Sequence, residues 1–208
     1  MSEAIRKFRA HIVESDECLS NFDNTKHDFA LRYIWIVGIS SFDLFLTELV
    51  SEAGLRLIDK NPDALPVNLQ QVQVPMVNVL DIHLLSPPER LLFFRERIFA
   101  SIQFKSFYRP EKVSEALSYI WSCPPKEKWS RITARMRATG HHGEKTEQDI
   151  RDELTLIGDR RDLIAHSADT PPGRDFANPV SREDAARVAE FVCDLAEAID
   201  AETEAQLD

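Results

Sequence analysis

The stretch that decides the fold is Tyr33-Ile-Trp-Ile-Val-Gly-Ile-Ser-Ser-Phe-Asp-Leu-Phe-Leu-Thr-Glu-Leu-Val50, the longest apolar region of the chain. Its longest run without a charged residue is ten residues, from Tyr33 to Phe42, whereas a membrane-spanning helix needs about 20 largely apolar residues. Apolar residues recur here at helical spacing and form one broad face: Leu31, Trp35, Phe42, Phe45 and Leu49. The pattern predicts a buried core helix from about residue 26 to residue 60, and no contact with a membrane.

Helical signals continue on both sides of this segment. Apolar spacing predicts an opening helix over residues 1–22. Prolines stand where the first turn of a helix tolerates them, and they predict three further helices at about 88–106, 110–121 and 125–138. These helices make an all-α protein the expected fold class.

Two capping patterns and one proline-rich stretch complete the predicted architecture. Thr146-x-x-Asp149 predicts a helix that ends near His166, and Ser181-x-x-Asp184 predicts a last helix to about residue 205. Residues 61–87 are punctuated by prolines, with a weak strand signal at 72–74, and are expected to be an irregular insertion. We therefore expect one domain over residues 1–208, an all-α helical bundle with one irregular insertion.

Composition and charge narrow the functional classes. Three cysteines that are far apart and odd in number favour a reducing, cytoplasmic compartment without a disulfide framework. The net charge of −10 argues at first against nucleic acid. The charge is polarised, however, because residues 88–143 carry 11 Lys/Arg against 5 Asp/Glu. Residues 144–208 carry 7 Lys/Arg against 18 Asp/Glu.

The basic middle of the chain is interleaved with aromatic residues, which is how single strands of nucleic acid are held. Most of these aromatic side chains are expected in the core. Five cations near residues 126–137 are the predicted RNA or phosphate surface: Lys126, Lys128, Arg131, Arg135 and Arg137. The acidic last helix is expected to be a solvated face, and a second interpretation is that it screens the basic middle or meets a basic partner.

Arg161 stands out on the helix that ends near His166. On a helical wheel it lies in the middle of an apolar stripe formed by four residues, Ile150, Leu154, Ile157 and Ile164. A buried charge is costly unless it is paired. Two interpretations stay open: a structural ion pair or a side chain that reaches out to solvent, and a stripe that faces a cleft or a subunit interface.

His166 and three further charged residues are the other candidate site residues. Asp162 precedes His166 by one helical turn and could orient or charge its imidazole. Arg161 and His166 lie about 140° apart on the wheel, so they meet at one ligand only if the helix frays, the arginine reaches around or a second chain supplies the partner. Arg160 is either a phosphate ligand or a surface charge. Asp43 either pairs with Arg161 or, as favoured, is simply solvated.

The string Arg160-Arg-Asp-Leu-Ile-Ala-His166 resembles the R-x4-6-H signature of HEPN domains, in the form found in the RiboL-PSP-HEPN branch. The apolar helix from Ala30 to Val50 is also similar to that branch, with small polar residues and an aspartate in its middle. The resemblance covers about residues 25–205. The chain departs from many relatives at Asp162, where they have asparagine.

This resemblance implies a helical domain that forms a homodimer and brings two R-x4-H motifs together in a cleft. It further implies metal-independent RNA cleavage without a cofactor, in a toxin–antitoxin or antiphage setting, so that an antitoxin or regulatory protein is a possible partner. Arg161 and His166 would be catalytic, and Asp162, Arg160 and Asp43 supporting. The alternative is a non-catalytic HEPN-like module that binds nucleotides, RNA or a protein. His141-His142 with Glu144 is not expected to bind a metal.

Overall fold

A computed structural model describes residues 1–21, 28–139 and 142–207, apart from the side chains of residues 15, 16 and 18–21. Within these ranges the chain is helical and contains no strand, so the predicted all-α class is confirmed. The helices are α1 (Glu3–Asn21), α2 (Asp28–Lys60), α3 (Val67–Gln70), α4 (Met76–Asp81), α5 (Pro87–Ile102), α6 (Pro110–Leu117), α7 (Pro125–Ala138), α8 (Glu147–Ser167) and α9 (Arg182–Leu207).

Helix α2 lies at the centre of the fold and contacts α1, α5, α6, α8 and α9. Four of the five residues of its predicted apolar face are at most 4% exposed, namely Trp35, Phe42, Phe45 and Leu49, while the fifth, Leu31, is partly buried. By length and composition α2 could cross a membrane, but 67% of its most apolar window is buried inside the fold. The helix therefore has the burial of a core helix, because its apolar residues already pack against other helices.

The insertion at 61–87 is shorter in its irregular parts than the sequence suggested. It contains α3 and α4 and two single turns of 3-10 helix, Pro62–Ala64 and Ile82–Leu84. The weak strand prediction at 72–74 is wrong, because these residues have no regular structure and no neighbouring strand among the described residues. Helix α5 also ends at Ile102 instead of residue 106, which leaves residues 103–109 as a loop that leads into α6.

Candidate functional site

Helix α8 carries the candidate site, and its sequence explains its position. Thr146 Oγ1 accepts a hydrogen bond from the Asp149 backbone N–H at 3.2 Å, and the Asp149 carboxylate accepts from the Thr146 backbone N–H at 2.7 Å, so the predicted capping box is confirmed. The four aliphatic residues of the predicted stripe are all buried: Ile150, Leu154, Ile157 and Ile164. This packing holds α8 against the core and fixes the direction in which its charged residues point.

The Arg161 side chain belongs to the same stripe on the helical wheel but is 24% exposed, unlike its aliphatic neighbours. Its guanidinium carbon is 5.1 Å from the centre of the Tyr108 ring, which is within cation–π range. Its one hydrogen bond to the described residues runs from Nη1 to Asp162 Oδ1 at 3.1 Å, and its Nε is buried without a partner. The group is thus held on two sides while Nη2 donates to no residue that the structure describes.

Asp162 is the centre of this cluster. Its carboxylate accepts hydrogen bonds from Tyr108 Oη at 2.8 Å, Arg109 Nη2 at 2.6 Å and Arg161 Nη1 at 3.1 Å. Partial burial alone would raise the pKa of Asp162, but the hydrogen bonds from Tyr108, Arg109 and Arg161 outweigh it and hold the pKa below its ordinary value. The Asp162 side chain forms no hydrogen bond or ion pair with His166; it holds the Arg161 guanidinium instead of the imidazole.

The loop at residues 103–109 completes the cluster with two residues that the sequence analysis did not assign to it, Tyr108 and Arg109. The Arg109 guanidinium lies across α8, where it donates to the Thr155 backbone carbonyl at 3.1 Å and pairs with Asp159 and Asp162. It can lie there because Gly158 has no side chain: an added Cβ would be 3.1 Å from Arg109 Cζ. A glycine inside a helix lowers the stability by about 1 kcal/mol relative to alanine, so it usually has a packing reason. Gly158 is therefore the feature of the sequence that could have indicated a side chain packed closely across α8.

Asp43 reaches the same region from α2 but forms no ion pair with Arg161. Its Oδ1 accepts the Phe107 backbone N–H at 2.5 Å. Burial raises the pKa of Asp43, while the hydrogen bond from Phe107 and the charge of Arg161 oppose that rise. The carboxylate is therefore neither simply solvated nor directly paired; it fixes the start of the segment that carries Tyr108.

Arg160 points to the other side of α8 and has mainly structural contacts. It donates from Nη2 to Asp169 Oδ2 at 2.9 Å and to the Pro179 carbonyl at 2.6 Å, and its Cζ is 5.0 Å from the centre of the Trp35 ring. Asp169 is 0% exposed and also accepts from Arg32 Nε at 3.0 Å. No pattern in the sequence marks Asp169, which ties the segment after α8 to α2.

His166 is exposed near the end of α8, and it makes no hydrogen bond or ion pair with the residues that the structure describes. Arg161 and His166 do not contact each other within one chain, in line with their separation on the helical wheel. The two residues predicted to be catalytic therefore lie near the same helix end without a direct link. A phosphate group meets both only if the arginine reaches around, the helix end frays or a second chain supplies the partner.

Known proteins give no further guide. No protein-family model, curated protein or solved structure matches this chain. The assignment of a function therefore depends on the side chains described above.

Two of the five cations of the predicted RNA surface on α7 are paired with acidic residues. Arg131 pairs with Glu127 at 2.6 Å and with Glu202 at 3.1 Å, and Arg135 pairs with Glu202 at 3.0 Å. Arg137 donates to the Lys145 carbonyl at 2.8 Å, and Lys126 is exposed without a partner among the described residues. Glu202 belongs to α9, so the acidic last helix does screen part of the basic middle.

The prediction that Lys128 belongs to an RNA surface is wrong. The residue is only 2% exposed, and its Nζ donates to Ser118 Oγ at 2.5 Å. Burial lowers the pKa of Lys128 because it disfavours the charged ammonium group. Its side chain would have to leave the core to reach a phosphate.

Of the two histidines of the glycine turn, the structure describes His142. His142 Nε2 lies 2.8 Å from Asp194 Oδ2, while His141 lies outside the described residues. Within the described ranges, no group of three or more His, Cys, Asp or Glu side chains is placed to hold a metal ion. Cys123 and Cys193 are both partly buried.

Proposed function

We propose that this chain is a metal-independent endoribonuclease that acts as a homodimer, with Arg161 and His166 of the two copies in a shared cleft. The observation that supports this proposal most is the state of these two side chains. Arg161 is held by Tyr108 and Asp162 yet keeps unused hydrogen-bond donors, and His166 is exposed on the same end of α8. Phosphodiester cleavage by the ribose itself requires an ordered cation and an accessible imidazole, which two copies of the chain would bring together.

The reaction follows from this pair. One imidazole accepts the proton of the ribose 2′-OH as that oxygen attacks the adjacent phosphorus. A second, protonated imidazole gives its proton to the leaving 5′ oxygen as the phosphorus–oxygen bond breaks. The products are a 2′,3′-cyclic phosphate and a 5′-hydroxyl. The arginine fork offsets the negative charge that builds on the phosphorane oxygens.

The dimer is part of the proposal because one chain supplies only one of the two imidazoles that the reaction uses. Each copy has one histidine in the motif, whereas the reaction uses one imidazole as base and another as acid. Arg161 and His166 also lie on different sides of α8, so the cation of one copy would serve together with the imidazole of the other. An antitoxin or regulatory protein that covers this helix end would silence both sites at once.

The test is RNA cleavage in EDTA by the wild-type chain, His166→Ala and Arg161→Met. His83→Ala is the matched control, because His83 is also exposed. We expect cleavage by the wild type and the control alone, with 2′,3′-cyclic phosphate ends, a dimer on size exclusion and unchanged circular dichroism. Equal cleavage by wild type and His166→Ala would show that the activity comes from elsewhere.

A second candidate function is a non-catalytic module that binds RNA, a nucleotide or a protein. It is favoured by the number of carboxylates at the site, since Arg109, Arg160 and Arg161 each have an acidic partner. Such pairs reduce the positive charge offered to a phosphate. RNA binding by the wild-type chain, together with the absence of any cleavage that His166→Ala abolishes, would favour this alternative.

A further inference from the structure

We infer that the cleft between the insertion and α5, together with the exposed loop at 103–109, binds the single-stranded RNA that the active site cleaves. This inference rests on the proposed function, because it names the substrate form and where that substrate is held. The two residues that carry it are Arg97 and Phe104. Neither belongs to the R-x4-H motif or to the basic run on α7.

The cleft has the size of a nucleotide site. Its volume is about 670 Å³, and small-molecule sites in proteins occupy roughly 300–1,000 Å³. One wall is residues 68–75 of the insertion, and the opposite wall comes from the end of α5 and from α6. The insertion thus has a defined contribution to the fold, since it forms one side of a groove that the helical bundle alone would leave open.

Arg97 supplies an uncommitted cation in this cleft. It forms no ion pair with any carboxylate in the described part of the chain, and its Nε is buried without a partner. Its guanidinium carbon lies 5.6 Å from the centre of the Phe93 ring, which orients the group. Arg95 on the same helix differs, because it pairs with Glu48 at 3.3 Å. An arginine fork that is ordered but unpaired is suited to a phosphate.

The opposite wall offers neutral hydrogen-bonding groups. Gln71 and Gln73 are exposed, and their side-chain amides have no partner among the residues that the structure describes. Amides both donate and accept, as the edges of unpaired bases do. A cation on one wall and amides on the other match a nucleotide better than an apolar ligand.

Phe104 supplies the stacking surface beside the cleft. It is 92% exposed, more than any other large apolar residue among those described. An exposed phenylalanine ring keeps the unfavourable free energy of apolar hydration and contributes no packing to the core. Single-strand binding proteins use such exposed rings to stack bases. Lys105 follows it and lines the cleft, although its Nζ is already paired with Glu115 at 2.8 Å.

The loop connects this surface to the active site. Tyr108, which holds Arg161, lies four residues after Phe104, so the two are at most about 14 Å apart along the chain. Four of the six Lys/Arg on residues 87–112 pair with carboxylates, which leaves Arg90 and Arg97 as the cations there without an ion pair among the described residues. A strand that stacks on Phe104 would therefore meet the unpaired Arg97 in the cleft and could extend along the loop toward Arg161.

The experiment measures binding of a fluorescein-labelled 12-nucleotide single-stranded RNA by anisotropy, in the uncleaving His166→Ala chain. Adding Phe104→Ala is expected to weaken binding by about 5- to 150-fold, the usual effect of losing one stacked base. Arg97→Met is expected to weaken it and to flatten its salt dependence. The matched controls are Phe29→Ala, a residue 80% exposed elsewhere, and Arg95→Met.

The inference is overturned if the parent chain binds no single-stranded RNA, or if Phe104→Ala and Arg97→Met bind as the controls do. A loss confined to these two variants, with unchanged melting temperature, supports it. Its failure is separable from that of the proposed function. Binding that depends on Phe104 without any cleavage would refute the nuclease alone, and cleavage with no effect of Phe104 or Arg97 would refute the RNA cleft alone.

Discussion

Replacement of Asp169 by asparagine should destabilise the fold strongly although it removes only one charge. The carboxylate is 0% exposed and pairs with Arg32 and Arg160, whose side chains are 15% and 23% exposed. Loss of one partner from a buried ion pair costs about 3–5 kcal/mol, because the remaining charge keeps its desolvation cost. At about 2–4 °C per kcal/mol for a chain of this size, the melting temperature should fall by roughly 6–20 °C.

Asparagine is the right replacement because Asp169 has a positive φ of 64°, a conformation that both residues tolerate. The loss can then be attributed to the charge instead of the backbone. The measurement is urea unfolding with thermal melting as a second probe, and Asp175→Asn in the same loop is the control, since Asp175 is exposed. If both variants changed the unfolding free energy by less than about 0.5 kcal/mol, the reasoning about a buried anchor would be refuted.

Three further predictions concern stability. Asp43→Asn should raise the melting temperature at pH 7, because burial raises the pKa of Asp43 and so penalises its charged form, while the amide oxygen can still accept the Phe107 N–H. The advantage should vanish below about pH 4, where the wild-type carboxyl is protonated in both states, and a difference in melting temperature that stays constant with pH would contradict this prediction. Ala168→Gly should stabilise by about 0.5–1 kcal/mol in urea unfolding, since Ala168 has a φ of 49°; a loss of stability would contradict it. Gly158→Ala should raise the free energy of unfolding by about 1 kcal/mol in an Arg109→Ala background, and by less in the wild type, where the added Cβ presses on the Arg109 guanidinium. A double-mutant cycle that shows no coupling between positions 109 and 158 would contradict this prediction.

The sequence was most informative where a local pattern has one physical meaning. The capping box at Thr146 and Asp149 placed the start of α8 correctly, because backbone donors at a helix start have few other partners. The prolines at the start of α7 placed that helix, because its first turn does not need the missing N–H. The burial of α2 was equally direct, since a helix that is apolar on most of its sides packs inside the fold.

The sequence was least informative where a charged residue is buried by contacts that are distant along the chain. Lys128 looks like its exposed neighbours on α7 but is satisfied by Ser114 and Ser118, which lie on or beside α6. Asp169 is fixed by Arg32, 137 residues away. Tyr108 and Arg109 also reach α8 over a long sequence separation, since both donate hydrogen bonds to Asp162. No periodic pattern marks such partners, so the support of the site became visible only in the fold.

The segment between α8 and α9 also makes this chain a candidate for a split reporter. Asp169 and Asn178 are joined by a backbone hydrogen bond of 2.8 Å from Asn178 N–H to the Asp169 carbonyl, while Arg174 between them is exposed. Tryptic cleavage after Arg174 would leave the anchors on opposite fragments. Helix α9 buries residues such as Phe191, Val192, Leu195 and Ile199 against the rest of the core. The nicked fragments should therefore stay associated, and separately produced fragments should reassemble with a concentration-dependent signal.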